Sequence, residues 1–357
     1  MTAVATPNAL ASGRLPKMAP WGVLVGSWVV MAGILALLAA GGLLDSVSPV
    51  AVIFWGTVLY IGAIYVISRL VEGHRQATDR FVTALVVTAF IIALLPLVSL
   101  LTTVIGNGLN RFDLEYFTFS MRNVVGEGGG AAHAISGTLL ITLAATIISV
   151  PIGLMTAIYL VEYGNNSRLA KGVTFLIDVM TGIPSIVAGL FAYALFAIFL
   201  GPGVRLGFAG AIALSVLMIP VVVRSCEEML RLVPNELREA AFALGVPKWL
   251  TVVKVVLPTS IAGITTGIML AIARVIGETA PLLVVAGFTA SLNTNLFAER
   301  MQSLPVFVFS SYANPGVDTQ AYIDRAWAGA LTLILIVMAL NLIARLIARF
   351  FAPKLGR

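Results

Sequence analysis

The chain has 357 residues, of which 59% are hydrophobic and only 11% are charged, whereas soluble domains carry about 25% charged residues. A soluble fold of this length could not bury so much apolar surface, so the composition excludes a soluble globular protein and predicts one that is embedded in lipid. The formal net charge of +6 could suit nucleic acid, but its distribution along the chain is better explained by membrane topology.

Eight apolar stretches approach the roughly 20 residues that a helix needs to cross the hydrocarbon layer. They cover residues 21–44, 50–68, 81–105, 135–161, 172–200, 208–223, 259–288 and 326–344. Backbone groups in lipid must be bonded internally, and these stretches do not alternate as barrel strands do, so we predict an all-α bundle. With a cytoplasmic N-terminus, 16 Lys and Arg residues fall on the inner side and 5 outside. This bias predicts eight spans with both termini in the cytoplasm.

The chain order predicts three parts. Residues 1–20 form a polar cytoplasmic tail, and residues 21–70 form an N-terminal hairpin of two spans with a short outer turn from Asp45 to Pro49. Residues 71–357 form the main membrane domain, with outer loops at 106–134 and 289–325. The single cysteine and two isolated histidines exclude an intrachain disulfide and predict no metal site.

The predicted inner loop, 224–258, has the pattern of two helices joined by a sharp turn. Pro234 suits a helix start, Gly245 is a natural C-terminal cap, and Pro247 opens a second helix that runs towards the membrane. This pattern alone is equally compatible with an amphipathic connector that lies on the membrane surface.

The seventh predicted span contains two charges, Arg274 near its middle and Glu278 one turn later, and this spacing predicts that both lie on one helix face. A charge at the centre of a span costs about 2.5–3.5 kcal/mol on insertion scales, so such residues face a bundle interior or an aqueous path. Pro281 removes the hydrogen bond that Gly277 would accept and weakens the backbone there. The pair is therefore either an ion pair that joins helices or part of a pathway for an anion.

The inner loop resembles the EAA loop of ABC importer permeases, in which a coupling helix docks on an ATP-binding subunit. The strings GIPSIVAGL (182–190) and ARVIGETAPL (273–282) are similar to those of phosphate permeases. From about residue 80 onwards the chain resembles the PstA family. The EAA-loop positions that the resemblance assigns to ATPase coupling are Glu239, Ala240, Ala241, Gly245, Leu257 and Pro258.

The resemblance implies a type I ABC importer permease (MetI-like) core of six helices, to which the N-terminal hairpin adds two. The implied partners are the homologous permease PstC, the ATP-binding subunit PstB as a dimer, the phosphate-binding protein PstS, inorganic phosphate and membrane lipid, in a bacterial inner membrane. ATP and Mg are implied for the partner ATPase, and no cofactor for this chain. The substrate-pathway residues it implies are Arg274, Glu278 and Arg224, with Glu227 as a plausible partner of Arg224; Asp178 is predicted to be structural.

Other functions stay open at this point. The chain could be the sister permease PstC or a permease for another oxyanion. It has no G-x-x-x-x-G-K-[ST] loop, so an ATPase must be a separate chain. A secondary carrier driven by an ion gradient would be expected to have repeated halves and a coupling-ion site, and a membrane-embedded enzyme would need a catalytic constellation. Neither pattern is found. A scaffold without a pathway would not explain Arg274.

Overall fold

The computed structural model describes residues 15–44, 46–164 and 167–351, with side chains described up to Ile347. Three sequence predictions therefore fall outside the described residues. They are the tail before Leu15, which includes Arg14, the turn residue Asp45, and the C-terminal basic residues, of which Lys354 and Arg357 lie outside the described ranges and Arg349 has no described side chain.

Every regular element in the described ranges is helical, which confirms the all-α prediction. In chain order the helices are α1 (Ala19–Ala40), α2 (Pro49–Val71), α3 (His74–Gly108), α4 (Leu114–Thr118), α5 (Ala132–Ile158), α6 (Arg168–Thr181), α7 (Ser185–Leu200), α8 (Gly207–Arg231), α9 (Asn235–Ala243), α10 (Lys248–Thr251), α11 (Leu257–Val275), α12 (Ala280–Val285), α13 (Leu304–Ala313) and α14 (Thr319–Phe351). Two π-helical segments, Tyr159–Tyr163 and Val252–Val256, extend α5 and join α10 to α11.

Seven helices in the described part are long and apolar enough to cross a membrane, and a bent pair adds an eighth span if it is counted as one. That pair, α6 and α7, occupies the span predicted at 172–200 and bends by 108°. The break has a local cause, because Pro184 has no N–H and restricts the residue before it. Pro184 forms the N-cap of α7 with an extended ψ of 140°.

Two helices differ notably from the spans predicted for them. The sixth span was predicted at 208–223, and its helix, α8, runs on to Arg231. The seventh does not continue unbroken to residue 288: α11 ends at Val275 and α12 begins at Ala280. Pro281 lies in the first turn of α12, where its missing N–H is tolerated.

The chain divides into two compact units, Met1–Thr102 and Thr103–Arg357, with the division inside α3. In the first unit α1 and α2 pack closely at Gly56, where an added Cβ would lie 3.0 Å from the Trp28 Cα atom. At the end of α2 the buried Glu72 accepts hydrogen bonds from Arg80 at 2.6 and 2.8 Å. Ser68 and the Leu15 backbone N–H also donate to Glu72, at 2.7 and 2.9 Å.

The second unit is built around α8, the most deeply buried of the span helices. The α8 residues Leu214, Met218 and Val222 have no exposed surface and pack in one core with Ile141 of α5 and Val275 of α11. Small residues allow this close packing: an added Cβ at Gly153 of α5 would lie 2.6 Å from the Val222 side chain. A central α8 therefore fixes the positions of the neighbouring helices.

The loop predicted at 289–325 contains a buried helix that the sequence analysis missed. Leu304, Pro305, Val306 and Phe307 of α13 are buried, and the Leu304 N–H donates to Thr138 Oγ1 of α5 at 2.6 Å. Arg325, which was assigned to this loop, lies in α14 and is 1% exposed. Its guanidinium donates to the backbone oxygens of Gly126 and Gly128 at 2.8 and 2.6 Å.

Candidate functional site

The segment after α8 forms the helix–turn–helix that the sequence predicted. Pro234 is the N-cap of α9, and the helix ends in a Schellman motif in which Gly245 has a φ of +76°. The Gly245 N–H donates to Phe242 O at 2.9 Å, and the Val246 N–H donates to Ala241 O at 3.1 Å. The chain therefore reverses sharply after α9 and enters α10.

Helix α9 exposes most of its surface. Ala241 is its only buried residue, while Leu237, Phe242 and Leu244 are 41%, 44% and 83% exposed. Of the predicted coupling positions, Glu239, Ala240 and Gly245 are exposed, and Pro258 is exposed in the first turn of α11. Helix α9 therefore presents apolar side chains that nothing in the described structure covers.

Arg238 fixes α9 to the rest of the unit. Its Nε and Nη2 atoms donate to Glu162 Oε1 at 3.0 and 2.8 Å, and its remaining donors bond to the backbone oxygens of Val233 and Leu230 at 2.6 and 2.9 Å. Glu162 lies in the π-helical segment that extends α5 and is only 6% exposed. Neither residue was predicted. Glu162 could have been found as a lone carboxylate just after the apolar stretch 135–161.

A cavity of about 260 Å³ opens beside this ion pair. It is bounded by the π-helical segment, the end of α8, α9 and the start of α10. The lining residues are Val161, Glu162, Arg231, Asn235, Arg238, Phe242 and Lys248. We call it the α9 cavity.

The second helices of the two broken spans pack against each other. Gly189 of α7 lies against Pro281 in the first turn of α12, where an added Cβ would be 2.6 Å from the Pro281 Cα atom. Breaks in membrane helices expose backbone polar groups and are tolerated where they are buried in protein or line a water-filled cavity.

A network of ion pairs links α6 to α8. Arg224 forms an ion pair with Asp178 of α6 and donates to Glu227 Oε2 at 3.0 Å. Glu227, whose side chain is 8% exposed, also accepts from Arg231 at 2.6 Å. Three of the predicted polar residues, Arg224, Glu227 and Asp178, are thus in contact.

Arg274 and Glu278 do not have the geometry that their spacing predicted. Arg274 lies in the last turn of α11, and Glu278 lies in the break, where its N–H donates to Val275 O at 3.1 Å. They are therefore not on one helix face, because the helix ends between them. Within the part of the chain that the structure describes, neither has an ion-pair partner, and Arg274 is exposed.

These features define a class of protein, a multi-pass helical membrane protein with a short exposed helix, α9, between two spans. A family model described as "Binding-protein-dependent transport system inner membrane component" matches residues 149–357, more than half of the chain. The chain belongs to this family, and it is a permease subunit of the ABC importer type, not itself an enzyme.

Two of the proteins that resemble this chain are phosphate permeases. The "Phosphate transport system permease protein PstA 1" of Mycobacterium tuberculosis (strain ATCC 25618 / H37Rv) is 46% identical over 82% of this chain and 94% of its own length. PstA of Yersinia pestis is 40% identical over 80% of this chain and 94% of its own length. A chain of the methionine ABC transporter MetNI in inward-facing conformations aligns with 63% of this chain and 95% of its own, with 19% identity and a TM-score of 0.49.

Proposed function

We propose that this chain is one permease subunit of an ATP-driven importer of inorganic phosphate and that it forms half of the translocation pore. The substrate assignment is supported by the 46% identity to a phosphate permease over 82% of the chain. The sister permease PstC supplies the other half of the pore, and the phosphate-binding protein PstS delivers the substrate from outside.

The exposed surface of α9 is the observation that carries the coupling part of this proposal. Leu237, Phe242 and Leu244 present apolar surface that needs a partner. The proposed partner is the ATP-binding subunit PstB, a dimer that binds ATP and Mg. The coupling residues are Glu239, Ala240, Ala241 and Gly245 of the docking segment, with Leu257 and Pro258 where α11 begins.

The proposed substrate pathway follows the charges beside the breaks. Lipid is a costly environment for an exposed Arg274, so this side chain faces the pore between the two permeases. The pathway residues are Arg274, Glu278, Arg224 and Glu227. Asp178 has a structural role, because it holds Arg224 through their ion pair.

The proposed orientation follows from the basic residues. Both termini and α9 lie on the cytoplasmic side of a bacterial inner membrane. The first two helices, α1 and α2, lie in the lipid and are additional to the six-helix permease core.

Phosphate uptake at low external phosphate tests the pathway. We expect Arg274→Ala to abolish high-affinity uptake and Lys171→Ala, at an exposed basic residue of α6, to leave it unchanged. Normal uptake by properly expressed Arg274→Ala protein excludes the pathway role.

Copurification tests the coupling assignment separately. The chain should copurify with an ATPase, whereas a secondary carrier should not. Glu239→Arg should weaken that association, because it reverses a charge on the docking helix. Unchanged association and uptake in this variant contradict the assignment of α9.

A further inference from the structure

The α9 cavity carries an excess of positive charge. Its lining contains the basic residues Arg231, Arg238 and Lys248 and one carboxylate, Glu162. The acidic side chains of α9 itself, Glu236 and Glu239, are exposed and do not line it.

The hydrogen bonds show which charged side chains in the cavity lining are already paired and which still have donors for a ligand. Arg238 and Glu162 neutralise each other, and the Nε, Nη1 and Nη2 atoms of Arg238 are all bonded. Arg231 bonds to Glu227 through Nη2, but its side chain is 66% exposed and its other donors can turn towards a ligand. Lys248 has no carboxylate partner among the described residues; its Nζ atom lies 5.1 Å from the centroid of the Tyr163 ring.

Neutral donors complete the lining. Asn235 Oδ1 accepts from Arg238 at 3.3 Å, which leaves its amide NH₂ group as a donor. Asn235 is also the first residue of α9, whose N-terminus no side chain caps. The ammonium of Lys248, the unbonded donors of the Arg231 guanidinium, an amide and a helix N-terminus favour an anion with several oxygen atoms.

We propose that the α9 cavity binds a phosphate group, which is either the headgroup of an anionic lipid or free inorganic phosphate. Basic pockets between helices on the cytoplasmic side of a membrane bind anionic headgroups. The exposed aromatic residues Trp249 and Tyr163 beside Lys248 suit the interfacial level of the membrane. The cytoplasmic location of the cavity rests on the proposed function. The affinity of its lining for a phosphate group rests only on the residues that form it.

A ligand in the α9 cavity contacts four elements, one of which is α9 itself. The cavity is lined by Glu162 of the π-helical segment, Arg231 of α8, Asn235 of α9 and Lys248 of α10. A bound phosphate group therefore restrains α9 relative to α5 and α8. Binding at this cavity therefore controls the mobility of α9, the helix that we assign to coupling.

Lysine acylation on the full-length chain locates the binding. The chain is placed in nanodiscs of phosphatidylcholine, and the acylation rates of Lys248, Lys171 and Lys254 are measured by mass spectrometry. One arm adds inorganic phosphate, and a second replaces part of the lipid with phosphatidylglycerol. We expect Lys248 alone to be protected, because Lys171 and Lys254 are exposed and do not line the cavity.

The two arms identify the source of the phosphate group. Protection with phosphatidylglycerol only assigns a lipid headgroup, and protection with inorganic phosphate in phosphatidylcholine assigns the free ion. If Lys248 is acylated equally with and without both probes, the proposal is overturned.

A matched pair of variants gives an independent measurement. We expect Lys248→Gln to bind the protecting probe about fivefold more weakly by native mass spectrometry, and Lys254→Gln to bind it as the unmodified chain does. Equal binding by Lys248→Gln and the unmodified chain also overturns the proposal. Because neither measurement depends on transport or on an ATPase, the result is independent of the tests of the proposed function.

Discussion

Glu162, in the π-helical extension of α5, and Arg238, on the docking helix α9, are joined by two hydrogen bonds of 3.0 and 2.8 Å although 76 residues separate them. Both side chains are largely shielded from water, at 6% and 12% exposure. A buried ion pair of this kind is costly to break from one side. The pair therefore fixes α9 to the extension of α5.

We expect Glu162→Gln to uncouple α9 from α5. The substitution leaves the buried Arg238 without a counter-charge, and removing one partner of such a pair costs roughly 3–5 kcal/mol. Phosphate uptake should fall sharply, and the thermal stability of the purified chain should decrease. The control is Glu236→Gln, at an exposed residue of α9, which should change neither. Full uptake by a well-expressed Glu162→Gln protein contradicts this link.

The Glu72 carboxylate gives the first unit a pH dependence that can be measured. Hydrogen bonding from Arg80, aided by Ser68 and the Leu15 N–H, lowers the pKa of Glu72 to about 2, and burial opposes the shift. Because the folded-state pKa is below the unfolded one, this stabilisation is fully present above about pH 4.5. It is lost as the pH falls towards 2.

The measurement compares Glu72→Gln with the unmodified chain in detergent. The difference between their melting temperatures should be largest near neutral pH and should shrink steadily below pH 4.5. Asp79→Asn, nearby in α3, should not reproduce this trend, because Asp79 forms no ion pair with Arg80 in the described structure. A difference for Glu72→Gln that stays constant down to pH 3 would falsify the assignment.

The contact between the two broken spans predicts a steric effect at Gly189. A Cβ at this position would lie 2.6 Å from the Pro281 Cα atom, and overpacking of this kind costs typically about 1–3 kcal/mol. Gly189→Val should therefore lower thermal stability and reduce uptake. Gly172→Val, at a helical glycine with open space around it, is the matched control. Equal behaviour of the two variants excludes a tight contact between α7 and α12.

The turn after α9 depends on a left-handed backbone conformation. Gly245 has a φ of +76°, and a residue with a side chain pays about 1–2 kcal/mol there. Gly245→Val should loosen the Schellman motif and weaken association with the ATPase while leaving the membrane helices folded. Circular dichroism and copurification measure the two effects. Tight association by Gly245→Val would show that the turn does not need this conformation.

Much of the fold could be predicted from the sequence, because lipid allows few solutions. Apolar stretches of about 20 residues must form helices, since nothing else satisfies the backbone there. The turn at Gly245 could also be predicted, because proline restricts its own backbone and glycine permits a left-handed conformation. Both predictions depend on local chemistry alone.

The predictions were incomplete where a helix is interrupted or where a short apolar helix lies within a predicted loop. Hydropathy places 172–200 in one span, because the two helices on either side of Pro184 are both apolar, and it does not give the 108° bend between them. It treated α13 as part of a loop, because a helix of ten residues is too short to be read as a span. In the same way, the spacing of Arg274 and Glu278 indicated one helix face only on the assumption of an unbroken helix.

The sequence by itself determined the membrane class, the apolar segments and the turn after α9, because each rests on composition or on local backbone rules. Only the tertiary structure decided which charges meet. Glu162 with Arg238, and Asp178 with Arg224, are pairs of residues far apart in the chain. Helix packing around α8 brings them together, and no periodicity within one segment encodes a contact between two segments.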